Sequence, residues 1–465
     1  MCQDHPQDDP CRHDREPRDL RHQRTTSLIA PVTRRRMMLQ TLFGGGLIGL
    51  RALATGLPLS FLMRPRQALA DGTFQCADRA KAQYLILSTS FLGDPVNGNA
   101  PGSYDFPDIP HAADPRVAPT PLKLGASTVT AAQVWSTLPP SVLDRTNFFH
   151  HATLTNNHPN LPKVMRLMGA TAKQEMLPSI AAKYLAPCFG TVQTEPVSVG
   201  AGEFLTFDGR GLPNLNPTGL RDILTHPTGP LMQLQTLRDA SMDKIHAVLK
   251  EHGTAEQRAY LDNLVASRTQ ARSLSDSLLD TLSGITTNDA DGQITAAVTM
   301  IRMNVSPVIV ISIPFGGDNH SDPDLMRAEV PQTETGVQRI GALMTALQQN
   351  NLQDQVTFAM YNVFGRTLVK KGTTGRDHWA SHHTTVMIGK GIRAGMTGGL
   401  EPKAGDYYAS PLDSRTGKGV SGGGDVPFAE TLGAMGKTLG AALGLDAAVL
   451  DQNISQGKIV TGALT

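Results

Sequence analysis

The sequence is poor in aromatic residues, in cysteine and in net charge. Aromatic side chains make up 5% of its 465 residues, against 45 glycines and 31 prolines, and this composition predicts many loops around a regular core. It has four cysteines but neither a CxxC pair nor a zinc-ribbon spacing, which argues against a dithiol redox centre or a zinc ribbon. A Walker-type phosphate loop and internal repeats are also missing, so the sequence gives no indication of a P-loop nucleotidase or a solenoid.

The first 70 residues are organised like a bacterial export signal. The twin-arginine pattern is filled by Arg35, Arg36, Met38 and Leu39. An apolar segment follows at 42–63, and the small residues at 68–70 predict a mature chain that starts near Asp71. The preceding residues 1–24 are almost devoid of apolar side chains, so we expect them to be disordered.

Two other interpretations of this segment are a retained transmembrane anchor and a chance run of arginines. Five glycines and Arg51 interrupt the apolar stretch, and one arginine in mid-membrane costs about 2.5–3.5 kcal/mol on insertion scales. The sequence therefore favours export by the twin-arginine translocase. We expect a periplasmic or extracellular protein without a stable membrane anchor.

Without residues 1–70, the chain keeps 31 Lys and Arg residues and 35 Asp and Glu residues, a net charge of −4. This balance gives no electrostatic reason to expect a nucleic acid or an anionic membrane as partner. Only Cys76 and Cys188 remain. An oxidising compartment would permit a bridge between them, but two free thiols are an equally open interpretation.

Five short apolar runs predict buried strands, at residues 83–87, 147–149, 307–313, 355–360 and 384–388. Helical patterns at 335–349 and 427–443 accompany them, so residues 71–465 are expected to form an α/β layered domain with a largely parallel central sheet flanked by helices. Residues 217–304 differ in character, because the patterns at 231–249 and 255–282 predict long amphipathic helices and hence a helical insertion or cap. The segment 93–124 is rich in Pro, Asp and Gly and predicts a loop.

Two Asp/His clusters follow predicted strands. Asp318 and His320 come after the strand that ends at Ile313, and Asp377 and His378 lie between the last two predicted strands. Ligands of open α/β sheets bind beyond the carboxyl ends of the strands, and carboxylate with imidazole suits zinc or manganese. The alternative is that the aspartates cap turns and the histidines are incidental.

Two further histidines follow closely, at positions 382 and 383. Alternation along a strand sends them to opposite faces. His382 is therefore a further ligand candidate, whereas His383 is expected to open the buried strand.

Three motifs in the last third of the chain resemble those of the domain-of-unknown-function 1501 family. They are Phe-Gly-Arg-Thr at 364–367, Gly-Arg-Asp-His at 375–378 and a glycine-rich stretch at 389–395. The resemblance is good over residues 305–446, approximately, and weak over residues 83–170. It implies an alkaline-phosphatase-like fold, often behind a twin-arginine signal.

The resemblance also implies a site with one or two divalent ions (zinc, manganese or calcium). Asp377 and His378 would serve one ion, Asp318 and His320 the other, and Asp94 is the nearest candidate for an acidic ligand after the first strand. Thr155 stands where the superfamily places its nucleophile, although it is equally well an ordinary threonine before a helix.

The chain departs from the family pattern at Val363, where the family often has glutamate, and it offers no convincing nucleophile. It also has no Cys-x-Pro-x-Arg signature, which argues against an ordinary sulfatase. Arg366 and Arg376 have the chemistry of oxyanion contacts, because guanidinium pairs with tetrahedral anions. The alternative is a salt bridge to Asp377 or another carboxylate that orients a ligand. We favour the salt bridge for Arg376, and both interpretations stay open for Arg366.

The sequence thus predicts an exported metal-dependent hydrolase of phosphate or sulfate esters. The alternative hypothesis is a non-catalytic envelope or extracellular protein that keeps the fold.

Overall fold

A computed structural model describes residues 78–93, 95–191, 193–200, 205–225, 281–315, 317–369 and 371–465, with Cys76 and a few positions between 244 and 258. The expected signal segment at 1–70 and Asp94 lie outside the described residues. The predicted helices at 231–249 and 255–282 lie largely outside them as well.

Eight strands form one central sheet, in which seven run the same way. The strands in the described part of the chain are, in chain order, β1 (Tyr84–Ser88), β2 (Pro119–Leu124), β3 (Ser127–Ala132), β4 (Thr146–His151), β5 (Val197–Val199), β6 (Thr206–Phe207), β7 (Arg210–Gly211), β8 (Asn214–Leu215), β9 (Val308–Ile311), β10 (Val356–Met360), β11 (Gly365–Arg366), β12 (His378–Trp379), β13 (His383–Ile388), β14 (Gly395–Thr397), β15 (Leu400–Lys403) and β16 (Asp406–Ala409). The sheet order is β14-β4-β13-β10-β1-β9-β5-β8, and β13 alone is antiparallel to its neighbours. All five predicted strands are in this sheet, so the predicted largely parallel sheet is confirmed.

Helices flank the sheet on both faces, as predicted. The α-helices described are α1 (Pro140–Leu143), α2 (Leu161–Met165), α3 (Leu177–Phe189), α4 (Pro217–Thr225), α5 (Ala290–Arg302), α6 (Glu329–Gln349), α7 (Thr431–Ala442) and α8 (Ala447–Asn453). Within the described part of the chain, no helix is long and apolar enough to cross a membrane.

Side-chain alternation along the strands produces two cores. Ile86 and Ile309 face a core shared with α5 and α6, whereas Leu87 and Val310 face a core shared with α3 and α7. Because both faces are buried, the central strands read as continuous apolar runs. α5 falls inside the predicted insertion at 217–304, yet it packs on the sheet as part of this layer.

The predicted loop at 93–124 is only partly correct. Its last six residues form β2, which pairs with β3 as a two-stranded hairpin closed through Gly125. Proline usually argues against a strand, but a two-stranded ribbon tolerates it because each strand has an unpaired edge. Pro119 and Pro121 therefore did not prevent this pairing.

Cys76 and Cys188 form a disulfide, with a Cα–Cα distance of 4.7 Å. The bridge joins residues 112 positions apart and fixes the segment before β1 to α3. The question that the sequence left open is thereby answered in favour of the bridge.

Removing both sulfurs in a C76A/C188A variant should lower the free energy of unfolding by about 2–5 kcal/mol, because a long loop of the unfolded chain is no longer closed. Urea unfolding of the oxidised protein, the reduced protein and the variant measures this. Reduction should lower the stability of the natural chain and leave the variant unchanged. Equal stability of all three forms would contradict a structural role for the bridge.

Candidate active site

The Asp/His clusters meet at the edge of the sheet where the parallel strands end. The loop after β9 carries Asp318 and His320, and the segment between β10 and β13 carries Asp377 and His378. His320 Nδ1 lies 3.3 Å from Asp377 Oδ1. The two clusters therefore form one site, as expected from their places at strand ends.

Main-chain hydrogen bonds hold the two segments together. The Gly375 N–H donates to His320 O at 2.8 Å, and the Arg376 N–H donates to Asn319 O at 3.2 Å. A Cβ atom at position 375 would lie 1.8 Å from Asn319 O. Glycine is required there because any side chain would push the segments apart.

A buried ion pair lies beneath this junction. Arg376 Nε donates to Glu329 Oε2 at 2.7 Å, and the exposed fractions of the two side chains are 0% and 1%. Asn319 and Asn99 donate their side-chain amides to the same carboxylate at 3.1 and 3.2 Å. Arg376 also donates to main-chain carbonyls, those of Pro110, Thr367 and Leu368. Its role is the structural salt bridge that we favoured, with Glu329 as the partner.

His320 connects Asp377 to Arg366. Its Nδ1 faces the Asp377 carboxylate, and its Nε2 faces Arg366 Nη1 at 3.2 Å. Since a guanidinium only donates, Nε2 must accept, and the proton is on Nδ1. The hydrogen bonds therefore define a neutral imidazole whose Nε2 lone pair is directed at Arg366.

Both aspartates remain carboxylates. The His320 backbone N–H, which donates to Asp318 Oδ1 at 2.9 Å, lowers the pKa of that carboxyl group. Partial burial by itself raises the pKa of Asp377, but the His378 backbone N–H and the Lys371 ammonium, 3.1 Å from Oδ2, outweigh it and the pKa is lowered.

A depression of about 340 Å³ opens beside these groups. Its lining residues are His320, Lys371, Thr374, Gly375, Arg376 and Asp377. Because the Arg376 guanidinium is turned toward Glu329, the polar side chains facing the depression are those of the other residues. The depression can thus offer an imidazole, an ammonium and a carboxylate to one ligand.

His378 is held in one orientation by its surroundings. Its Nδ1 lies 2.8 Å from the carbonyl oxygen of Asn156, so it donates there and Nε2 is left as the acceptor. Phe364, His158 and His320 surround the ring, with centroids 4.3, 4.5 and 4.6 Å away. His378 Nε2 is buried and has no hydrogen-bond partner among the residues that the structure describes, and burial lowers the pKa of the ring.

Two of the other proposed site residues are engaged with the protein. Arg366 is buried and donates to the carbonyls of Leu92 and Gly317 at 3.0 and 2.7 Å, as well as to His320. The Thr155 hydroxyl accepts hydrogen bonds from the Asn157 N–H and the Asn160 side chain. Thr155 therefore organises the loop before α2, and its assignment as the nucleophile stays a prediction.

His382 does not reach the depression. Its Nε2 lies 2.8 Å from His150 Nδ1, and the side chain is fully buried. His383 faces the other way, against His151, so the expected alternation holds. His382 is thus a buried histidine that directly precedes β13, and its assignment as a metal ligand stays a prediction.

The donor types of this site fit a divalent metal ion, and in the present arrangement His320 and Asp377 are engaged with other protein groups. Among the residues that the structure describes, no three or more His, Cys, Asp and Glu side chains are placed to hold one ion. Both His320 nitrogens have partners, and both Asp377 oxygens accept hydrogen bonds. An ion could bind there only if some of these contacts were exchanged.

The fold and the site together define an α/β protein with an Asp-His-Arg chain at the carboxyl edge of its sheet. The family described as "Protein of unknown function (DUF1501)" matches residues 151–414, and the chain belongs to this family. The match includes both Asp/His clusters and Arg366. No curated protein matches the chain.

A cluster of four buried histidines lies where β4 ends and β13 begins. It consists of His150, His151, His382 and His383. Burial lowers the pKa of His150 to about 3 and that of His151 to about 4, and it holds the pKa values of His382 and His383 well below the usual 6.5. The folded protein therefore keeps these rings neutral at pH values where the unfolded chain binds protons.

Stability should accordingly be full above about pH 6.5 and should fall as the pH drops from there toward 4, by up to about 1.4 kcal/mol per pH unit for each histidine. Urea unfolding at several pH values measures the slope. Carboxylates contribute to acid loss as well, so an H151Q variant isolates one imidazole and should reduce the slope by one such increment. An unchanged slope would show that His151 does not titrate on unfolding.

An E329Q variant should lose about 3–5 kcal/mol of unfolding free energy, because Arg376 would keep its buried charge without an anion. E334Q is a matched control, since Glu334 lies on the same helix and pairs with the half-exposed Arg116 at 2.7 Å. Surface pairs contribute about 0–1 kcal/mol. Similar losses in the two variants, measured by urea unfolding, would contradict the special role of the buried pair.

Proposed function

We propose that the protein is a hydrolase of phosphate or sulfate esters that acts at the depression beside His320. The observation that carries the proposal is the hydrogen-bonded chain from Asp377 through His320 to Arg366, with the Lys371 ammonium at its open end. The Asp377 carboxylate orients the His320 ring through Nδ1, and Nε2 accepts a hydrogen bond from Arg366. Arg366 beside that nitrogen and Lys371 beside the carboxylate are two cations that suit a tetrahedral anion.

The protein's own groups have separable roles in this proposal. Lys371, with 76% of its side chain exposed, can leave Asp377 to meet the ester oxygens. Asp377 orients the His320 ring through Nδ1, and the main-chain bonds of Gly375 and Arg376 keep the two residues adjacent. The alkaline-phosphatase-like resemblance supports the same reaction class without fixing the substrate.

A requirement for one or two divalent ions (zinc, manganese or calcium) stays a prediction of the family resemblance. The candidate ligands are Asp318, His320, Asp377 and His378, with Asp94 outside the described residues. A bound ion would supply positive charge to the ester oxygens. Its binding at Asp377 would require Lys371 and His320 to give up their present hydrogen bonds.

Export through the twin-arginine translocase to the periplasm or beyond also stays a proposal. The disulfide between Cys76 and Cys188 supports it, because such bridges persist in oxidising compartments.

The second candidate function is a non-catalytic envelope or extracellular protein with the same fold. It is supported by the two hydrogen bonds that Arg366 donates to the main-chain carbonyls of Leu92 and Gly317. A guanidinium used in this way stabilises loops and does not need a ligand.

Purified mature protein should hydrolyse at least one member of a panel of aryl phosphate, phosphodiester and aryl sulfate esters. D377N should slow that turnover by about 100-fold or more, because the His320 ring loses its orienting carboxylate. Asp413 is a matched control, since its carboxylate only closes a surface turn with Thr416; D413N should retain activity.

Elemental analysis of the same protein, with turnover before and after chelation, decides the metal requirement. Less than about half an equivalent of any divalent metal, with activity unaffected by chelator, would overturn the metal prediction and leave the hydrolase proposal in place. No turnover on the panel, with or without added zinc, manganese or calcium, would favour the non-catalytic alternative.

A further inference from the structure

Exposed large apolar side chains are few in the described part of the chain, and most of them flank the site. Phe91 and Leu92 have exposed fractions of 49% and 42% and lie in the loop after β1. Met326, at 36%, lies in the loop after β9 that carries His320, and the remaining one in the described ranges is Val248. A single exposed apolar residue needs no explanation, but two adjacent ones beside a candidate site indicate a binding surface.

The main chain of Phe91 and Leu92 is held by residues of the site. His158 Nδ1 lies 2.5 Å from the Phe91 carbonyl oxygen and donates to it, since a carbonyl only accepts. Arg366 Nη2 donates to the Leu92 carbonyl at 3.0 Å, and the Leu92 N–H donates to Ser90 Oγ at 3.1 Å. The turn is thus fixed through its main chain, and its two apolar side chains stay half-exposed.

Gly93 brings this loop into direct contact with the aromatic rings of the site. Its φ of +81° lies in the left-handed region, and a Cβ atom there would lie 2.3 Å from Phe364 Cε2. The Phe364 ring is buried and stacks on that of His378, with centroids 4.3 Å apart. The loop that carries the two exposed side chains therefore packs on the ring that supports His378.

His320 lies between this loop and the depression. It lines the depression, and its Nε2 accepts from Arg366 Nη1 at 3.2 Å, while Nη2 of the same guanidinium donates to Leu92. Leu92 is therefore two hydrogen bonds away from a side chain that lines the depression. Every lining residue is polar or glycine, so the depression suits the anionic part of an ester and offers no apolar side chain to its organic part.

We infer that Phe91 and Leu92 form an apolar subsite for the organic group of an aromatic ester whose anionic group binds in the depression beside Lys371. The inference rests on the hydrolase proposed above. A ring packed against these two side chains removes apolar surface of both partners from water, which favours binding. A small polar alcohol has no such surface to bury. The subsite therefore selects esters of phenols and similar ring-bearing alcohols over esters of small polar alcohols.

The test measures binding to the mature full-length protein by calorimetry, with ligand pairs that share an anionic group and differ in their organic group. Phenylphosphonate and methylphosphonate form one pair, because their P–C bonds resist hydrolysis, and phenylsulfonate and methylsulfonate form the equivalent pair for a sulfate ester. We expect the phenyl member to bind at least about fivefold more tightly. In an F91S/L92S variant this preference should disappear, while the affinity for the methyl member stays unchanged.

The variant should fold, because His158 and Arg366 contact main-chain carbonyls that serine keeps. V248S is the matched control, since Val248 is 56% exposed and lies outside the loops of the site; it should keep the phenyl preference. In turnover of an aryl phosphate, F91S/L92S should raise KM and leave kcat nearly unchanged, because the subsite binds the ground state and the transition state alike.

Three other outcomes have distinct meanings. Equal affinities for the phenyl and methyl members, or a phenyl preference that survives in F91S/L92S, would overturn the inference, while the hydrolase proposal is judged by turnover on the ester panel. An equal loss of affinity for both members would show that the two side chains support the whole site, and it would overturn their role in selection. A phenyl preference that depends on these side chains, without turnover of any ester, would support the subsite and contradict the proposed hydrolase.

Discussion

The buried pair of Glu329 and Arg376 is the interaction on which the arrangement of the site depends. Removing two charges from water costs several kcal/mol for each ion, and only close pairing with full hydrogen bonding compensates for it. Here each carboxylate oxygen accepts from the guanidinium and from one asparagine amide. Those asparagines come from the loops after β1 and β9, and the arginine comes from the segment that leads to β13. One carboxylate on α6 thus ties together the three loops that form the site.

Because the ion pair holds these loops together, the positions of His320 and Asp377 depend only on the short stretches of chain that join them to it. His320 follows Asn319 directly, and Asp377 follows Arg376 directly, so the ion pair places the imidazole and its carboxylate within one residue of a fixed anchor. The main-chain bonds between the same segments leave little freedom for the 3.3 Å contact of His320 with Asp377. Arg366 then closes the chain from the other side with bonds to two main-chain carbonyls. The site is thus held by hydrogen bonds between its own loops above a buried ion pair.

The sequence predicts the sheet well and the anchor of the site not at all. β9 and β10 were predictable because burial on both faces leaves continuous apolar runs, whereas β5 and β14 span three residues each and give no such signal. The Asp/His clusters were predictable because parallel strands bring their ends to one edge. Glu329, in contrast, resembles any acidic residue in the first turn of a helix, and its partner lies 47 residues away. The bridge between Cys76 and Cys188 was left open for the same reason, since a pairing over such a separation is decided by the fold.

Donor types in a sequence indicate what a site can bind, but hydrogen-bond partners decide what its groups can do. Asp318, His320, Asp377 and His378 read as a metal-ligand set, and their chemistry suits one. In the folded chain the atoms of His320 and Asp377 that could bind a metal contact other protein groups. The Asp377 carboxylate contacts the Lys371 ammonium and the His320 imidazole, and the second His320 nitrogen contacts the Arg366 guanidinium. The positive charge that a metal would bring to Asp377 is already supplied in part by Lys371. A metal ion at Asp377 must therefore compete with Lys371 for the same carboxylate oxygen, and one at His320 Nε2 must compete with Arg366 for the same nitrogen.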